Sequence, residues 1–363
     1  MIEEIVSVIS DPRSSKNQWY SLSELILIIF SSVICGYNEP DEMADFAKEK
    51  INWLRKFAKF EKGTPSHETL RYFLCAINPV ELIHGFGEFV KQNKLEFEGD
   101  TISIDGKTMR GTDRGGQDAI HLISAWSSEH GITLGALQSK GKKNEIKSIP
   151  DVIDQLDARG ATITVDAMGC QKAISTKIID SGNDYMLQLK GNQKCLLEQV
   201  KAFHHKLERE NYSFNEFETI EKDHGRIETR RYSQFALNDW IEGRNDWSEL
   251  NSAIRVERTR ETRGFKAEEV SWYISSLPLG TSVKAANAIR HHWGIENKLH
   301  WRLDVIFNDD SCGMHSGNGP INLSLIKRHC MNLLGKDKAK KPLRRKLMKA
   351  TISDDYREDM LFG

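Results

Sequence analysis

Two short segments of this chain each end in an acid on the polar side of an alternating run. In TISID, Thr101, Ser103 and Asp105 share one face of an extended backbone, while Ile102 and Ile104 share the other; in ATITVD, Thr162, Thr164 and Asp166 oppose Ile163 and Val165. Taken singly, each aspartate has a plain use. Asp105 opens an Asp-Gly turn, and Asp166 caps the helix that follows. Their matched parity and position make the pair more interesting than its members. A third carboxylate lies in IRHHWGIENKLHWRLDVIF, where Ile289, Trp293, Glu296, His300 and Leu303 recur at helical spacing, which puts Glu296 in the stripe expected to face the protein. A carboxylate there needs a partner, and Arg290 or Arg302 would supply one at the edge of the core. His292, Glu296 and His300, each four apart, also form a candidate metal-ligand ladder. Zinc catalysis, however, usually draws its ligands from separated elements, and HExxH is absent.

The elements that must position these acids follow from the pattern around them. Residues 1–95 read as a helical domain: SLSE has capping-box spacing ahead of LILIIFSSVICG, DEMADFAKEKINWLRKFAKF repeats apolar residues near helical spacing, and PSHETLRYFLCAI starts after Pro65. From about residue 100 the period becomes that of strands. Three strands, a helix, a strand, a helix and a strand make residues 96–194 a mixed sheet with helices packed on it. Residues 195–275 alternate with charged exposed faces and read as a β-rich insertion. Residues 276–335 return to helix, including the one that bears Glu296, and residues 336–363 read as a charged tail with a basic run and an acidic end.

Composition narrows the class. The 363 residues carry 51 Lys plus Arg against 52 Asp plus Glu, so any nucleic-acid partner must be held by local basic patches and not by a global field. Six scattered cysteines without a CxxC pair argue against a disulfide framework or a thiolate zinc site, and for a reducing cytoplasm. Glu3 and Glu4 stand where a signal peptide needs positive charge, and the run from Leu25 to Cys35 is too short to span a bilayer. The expected location is therefore cytoplasmic, and nucleoid-associated when DNA is bound.

The words SIDGKTMRGT, KNEIKSIPDVIDQL, TVDAMGCQ, DYMLQLKGNQ, HGRIETRRY, WYISSL and HWGIENKLHWRLDVIFNDD, together with DPRSSKNQWYSLSELILIIFSSVICG and GTPSHETLRYFL near the start, occur in one order along the chain. In this the chain resembles the H-repeat-associated transposases of bacterial insertion sequences, within the DDE class. The resemblance implies an α/β fold: an RNase H-like mixed sheet flanked by helices, with an N-terminal helical domain and a β-rich insertion. It further implies that Asp105, Asp166 and Glu296 are the catalytic acids and hold two divalent cations, Mg²⁺ or Mn²⁺. Two ions about 4 Å apart suit phosphodiester displacement, and oxygen ligands suit these ions better than zinc.

Many related enzymes place Tyr, Arg and Lys at set spacings around the glutamate. Ile289, His292 and Leu303 stand there instead, in a branch pattern of Arg290, Trp293, Asn297, His300, Arg302 and Asp304, of which Asp304 is a conceivable fourth acid. Lys107, Lys190 and Asn192 match family words after core strands, where they could meet phosphate or sit solvated in loops. Further DNA contacts are expected from the N-terminal helices, Arg226, Arg230 and Arg231 of the insertion, Arg290 and Arg302 near the glutamate, and Lys336 to Lys349. The implied activity is binding of terminal inverted repeats, then metal-dependent strand cleavage and transfer by a homo-oligomer on paired ends. The alternatives are an RNase H-like nuclease without strand transfer, or a catalytically inactive, domesticated DNA-binding protein.

Overall fold

The structure is a computed structural model that describes residues 2–113, 119–139, 141, 144–223, 225–262 and 264–363. The turn expected at 111–116 lies partly, and His224 wholly, outside the described residues. After α1 (Ile2–Val8), the capping box of SLSE forms as its spacing predicts. Ser21 Oγ accepts the Glu24 N–H at 3.2 Å, and Glu24 accepts the Ser21 N–H at 2.7 Å. The helix it starts, α2 (Leu22–Val33), is rich in apolar residues and is buried from Glu24 to Val33, with Glu24, Ser31 and Ser32 buried along with them. Then come α3 (Pro40–Glu49), the single turn α4 (Ile51–Leu54), α5 (His67–Ala76) and α6 (Pro79–Gln92).

The change of period near residue 100 marks the start of the sheet. Strands β1 (Thr101–Thr108), β2 (His121–Ser127) and β3 (Ile132–Ser139) form an antiparallel meander; α7 (Glu145–Gln155), β4 (Thr162–Val165), α8 (Lys172–Asp180) and β5 (Asp184–Leu189) then alternate. β4 runs parallel to both β1 and β5, which gives the RNase H-like order β3-β2-β1-β4-β5. After α9 (Lys194–Arg209), the strands β6 (Asn215–Asp223), β7 (Arg226–Ala236), β8 (Ser252–Thr262) and β9 (Phe265–Ser275) do not form a separate sheet. β9 pairs antiparallel with β5, so the inserted strands lengthen the core sheet to nine.

The alternation in β1 and β4 sorts their faces as the residue types require. Ile102, Ile104, Ile163 and Val165 share one apolar core with Ile149 and Val152 of α7 and Ile174 and Ile178 of α8. The polar face is not solvated: Ser103 and Thr164 lie buried beneath α10 (Ser282–Gly294). Spacing predicts one helix from about Val283 to Phe307. The chain runs instead through a π-helical turn, Ile295–His300, into α11 (Trp301–Phe307). A π turn holds more residues than an α turn, so the apolar stripe does not continue through it at constant spacing. Trp293, placed in that stripe by spacing, is 57% exposed, whereas Ile289, Ile295, Leu299 and Leu303 are buried.

Residues 336–363 are not a solvated tail. After α12 (Gly319–Lys336), α13 (Leu343–Ile352) and α14 (Asp354–Phe362) fold back, and Leu347, Tyr356, Met360 and Leu361 join one core with α2, α3, α5 and α12. Their basic residues are partly structural. Buried Lys346 donates to the Leu334 and Asp337 carbonyls, at 3.2 and 2.5 Å, and buried Arg357 donates to the Ala350 carbonyl at 2.7 Å while lying 4.0 Å over the Trp53 ring. Charge composition conceals this pair because an amphipathic helix hides its apolar residues among charged ones.

Candidate active site

The β1–β4 register sets Ile104 against Val165, so Asp105 and Asp166, each one residue further on, lie side by side where β4 ends; β1 itself runs on to Thr108, with Asp105 paired to Ser124 of β2, so the Asp-Gly turn expected at Asp105 is extended strand instead. Asp166 also caps the turn Ala167–Gly169, accepting the Gly169 N–H at 3.0 Å, so its local use and its place in the site coexist. Burial pushes the Asp105 carboxyl up to about 6. His300 and the Gly106 N–H act against that rise, and the negative charges of Glu145 and Asp166 add to it. Asp166 is raised likewise, by burial and then by Glu145, with the Gly169 N–H and Lys190 opposing.

Glu296 reaches Asp105 from the π turn. His300 Nδ1 lies 3.0 Å from Glu296 Oε2 and 3.6 Å from Asp105 Oδ2, and ligand atoms of Asp105, Glu296 and His300 lie within 4.8 Å of one another. The His300 hydrogen bond holds the Glu296 carboxyl below the usual range. Neither arginine expected as its structural partner fills that place: Arg290 pairs with Glu221 at 3.1 Å, and Arg302 is half-buried with no carboxylate partner among the described residues.

The His292, Glu296, His300 ladder does not assemble. His292 turns from the acids and meets Thr164 Oγ1 through Nδ1 at 2.9 Å; the Thr164 hydroxyl donates to Ser103 Oγ at 3.2 Å, and Ser103 Oγ lies 3.4 Å from the His291 carbonyl. Burial lowers His292 to about 4, which keeps the ring neutral near pH 7. This chain of hydrogen bonds ties α10 to β1 and β4 directly below the acids. Its signal in the sequence is the Ser and Thr residues that alternate with isoleucine.

The basic candidates divide. Lys107 is buried and held between Asp304 Oδ1 at 2.6 Å and Asp310 Oδ1 at 2.9 Å, so it ties β1 to α11 and Asp304 is occupied by it. Asn192 donates to the Ala167 carbonyl at 2.6 Å and holds the turn after Asp166 in place. Lys190 is exposed, and its charge reaches both Asp166 and His292. In the insertion, Glu228 is 3% exposed and ringed by Arg226, Arg230, Arg258 and Arg260, while Arg230 also meets Glu221 at 2.9 Å. Arg231 pairs with Glu218 at 3.3 Å. Glu145, absent from the sequence-based set, is buried against His121, and its charge acts on both aspartates; its signal is a glutamate in KNEIKSIPDVIDQL, which spacing alone does not distinguish from any helix-start glutamate.

Residues 96–333 match the family model described as "Transposase DDE domain", and residues 4–90 match "DDE_Tnp_1-associated". This chain belongs to the DDE transposase family. YbfL of Escherichia coli (strain K12) is 36% identical over 371 residues, which cover 99% of this chain and 97% of YbfL. The protein named "H repeat-associated putative transposase YhhI", from the same strain, has the same identity and coverage. A solved piggyBac transposase synaptic complex with hairpin DNA aligns with all of this chain and 79% of that one, at TM-score 0.46 and 10% identity. Among the described residues, no single helix is long and apolar enough to cross a membrane.

Proposed function

We propose that this DDE transposase binds the terminal inverted repeats of its own element and performs divalent-cation-dependent DNA strand cleavage and transfer, as a homo-oligomer on paired ends. The observation that supports the reading is Asp105 beside Asp166 on neighbouring parallel strands, with Glu296 brought to Asp105 through His300 from the π turn. The donor set fits a hard cation: carboxylate oxygens, one of them on an aspartate raised by burial and by like charge, need positive charge brought to them. Asp105, Asp166 and Glu296 would hold Mg²⁺ or Mn²⁺, and a bound cation supplies Lewis acidity for in-line displacement at phosphorus.

The protein's own groups do the positioning. His300 fixes the Glu296 carboxyl toward Asp105, the Thr164 and Ser103 hydroxyls anchor α10 below, Lys107 sets the distance between β1 and α11, and Asn192 holds the Asp166 turn. Lys190, exposed beside Asp166, is placed to meet a phosphate. Arg226, Arg230, Arg290 and Arg302 would contact the backbone of bound DNA; the first three are now held by Glu228 and Glu221, which phosphates would have to replace. Base reading is assigned to the N-terminal helices. The test is incubation of the full chain with Mg²⁺ and labelled duplexes that end in the element's inverted repeats, with a target plasmid. Cleavage and joining support the reading. Cleavage without joining favours the nuclease, and binding without cleavage favours the inactive DNA-binding protein.

A further inference from the structure

Away from the carboxylate centre, two histidines and a glutamate meet near the end of α9. His204, His205 and Glu208 stand three and four residues apart, the spacing at which side chains on one helix face meet. Glu208 Oε2 lies 3.0 Å from His205 Nδ1 and 3.5 Å from His204 Nδ1, and the ligand atoms of all three lie within 4.8 Å of one another. Two donors held by one zinc ion in tetrahedral geometry, each at about 2.0–2.1 Å, stand about 3.3 Å apart. The glutamate oxygen is therefore at ligand spacing from both nitrogens. A groove lined by Ala202, His205, Glu208 and Arg209 opens this side of the helix to solvent.

An exposed ion pair accounts for His205 and Glu208, but not for His204. The His204 side chain is 2% exposed; its ring stacks on Phe214, with centroids 4.8 Å apart, and meets the rings of Trp272 and Phe235 edge-on at 5.2 and 5.3 Å. These aromatic rings fix the imidazole and offer its Nδ1 no hydrogen bond. That nitrogen is buried without a hydrogen-bond partner among the described residues, and the polar group it faces is the Glu208 carboxylate. A bound ion would remove the cost of leaving it so. The protonation states suit ligation as well. Burial holds His204 below the usual imidazole range, which keeps a ring nitrogen free of its proton near pH 7, and the His205 hydrogen bond holds the Glu208 carboxyl below its usual range. Arg255, whose charge reaches both groups, is itself paired with Glu257 at 2.7 Å. Glu208 also stands in the last turn of α9, where the helix dipole favours positive charge, and an ion held there supplies it.

We propose that His204, His205 and Glu208 form a second metal site, for a divalent transition ion of the zinc type, sharing no residue with the carboxylate centre. Two imidazole nitrogens and one carboxylate oxygen select zinc over Mg²⁺, and water completes the coordination on the groove side. Through the His204 ring, the ion would pin the end of α9 against Phe214, Phe235 of β7 and Trp272 of β9.

The test is calorimetric titration of the metal-free full chain with Zn²⁺, for wild type, His205→Ala, Glu208→Gln and Asp105→Asn, with melting temperatures taken with and without Zn²⁺. His205 and Glu208 are exposed, at 69% and 46% of their side chains, so both replacements should fold, as circular dichroism would check. The expected result is a Zn²⁺ site that persists in Asp105→Asn and is weakened about tenfold or more in both His205→Ala and Glu208→Gln, with the Zn²⁺-induced rise in melting temperature reduced in those two. Titration with Mg²⁺ in place of Zn²⁺ should show no difference between wild type and either α9 variant. Wild-type Zn²⁺ affinity in His205→Ala or in Glu208→Gln overturns the proposal, as does a wild-type chain that binds no Zn²⁺. Zn²⁺ binding that is lost in Asp105→Asn and kept in the α9 variants also overturns it, and assigns the ion to the carboxylate centre.

Discussion

Replacing Asp105 with asparagine should make the metal-free protein more stable while it removes cleavage. The carboxyl titrates at about 6 in the folded chain against 3.8 for an unburdened aspartate, and each pKa step is 1.36 kcal/mol, so the ionised form costs about 3 kcal/mol. Asparagine keeps the shape without the charge. The sign follows from linkage: a carboxyl whose pKa is raised on folding binds its proton more tightly folded than unfolded, so wild-type stability declines as pH rises from about 4 to about 6 and is level above that. The variant lacks this decline. Scanning calorimetry in chelator at pH 4, 5, 6, 7 and 8 should therefore show nearly equal melting temperatures at pH 4, and an advantage of several degrees for Asp105→Asn at pH 7 and 8. Mn²⁺ should narrow the gap by stabilising the wild type. An advantage that does not depend on pH, or a variant less stable than wild type at pH 8, would refute the argument that Asp105 is held at an electrostatic cost for the sake of the site.

Three further outcomes follow from the same geometry. Asp166→Asn and Glu296→Gln should each reduce strand cleavage to background while circular dichroism and binding to end-sequence duplex remain near wild type, because ligands of one site act as a unit. Gly106→Ala should lower stability by about 1–3 kcal/mol in chemical denaturation, since the added methyl meets His121 and Glu145. Leu361→Ala, at a side chain 1% exposed, should cost about 2–5 kcal/mol, and truncation after Gly335 should yield aggregated protein in size-exclusion chromatography, because α13 and α14 cover a shared core.

The placement of two of the acids is legible in the residue pattern alone. Alternation puts Asp105 and Asp166 on one face of their strands because extended backbone has a period of two whatever surrounds it, and the capping box at Ser21 forms because both of its hydrogen bonds are local. Glu296 stands out as a candidate, but its geometry does not: the π turn interrupts the spacing that places Trp293 in the buried stripe. The charged end of the chain misleads for a related reason. Lys346 and Arg357 look like solvated charges until carbonyls and a tryptophan ring from distant segments are brought against them.

What the sequence by itself determined were features written in a few consecutive residues: caps, alternation, helical stripes, and the acids on the polar faces of two strands. Only the tertiary structure decided that β9 docks on β5 to lengthen the sheet, that Ser103 and Thr164 face a helix and not water, and that His292 turns to Thr164 while His300 joins Glu296 and Asp105. Each of these depends on contacts between residues tens to hundreds of positions apart. A hydroxyl, an imidazole or a carboxylate has no fixed partner until chain packing sets its distance, its burial and the charges it faces, and packing is a property of the whole chain.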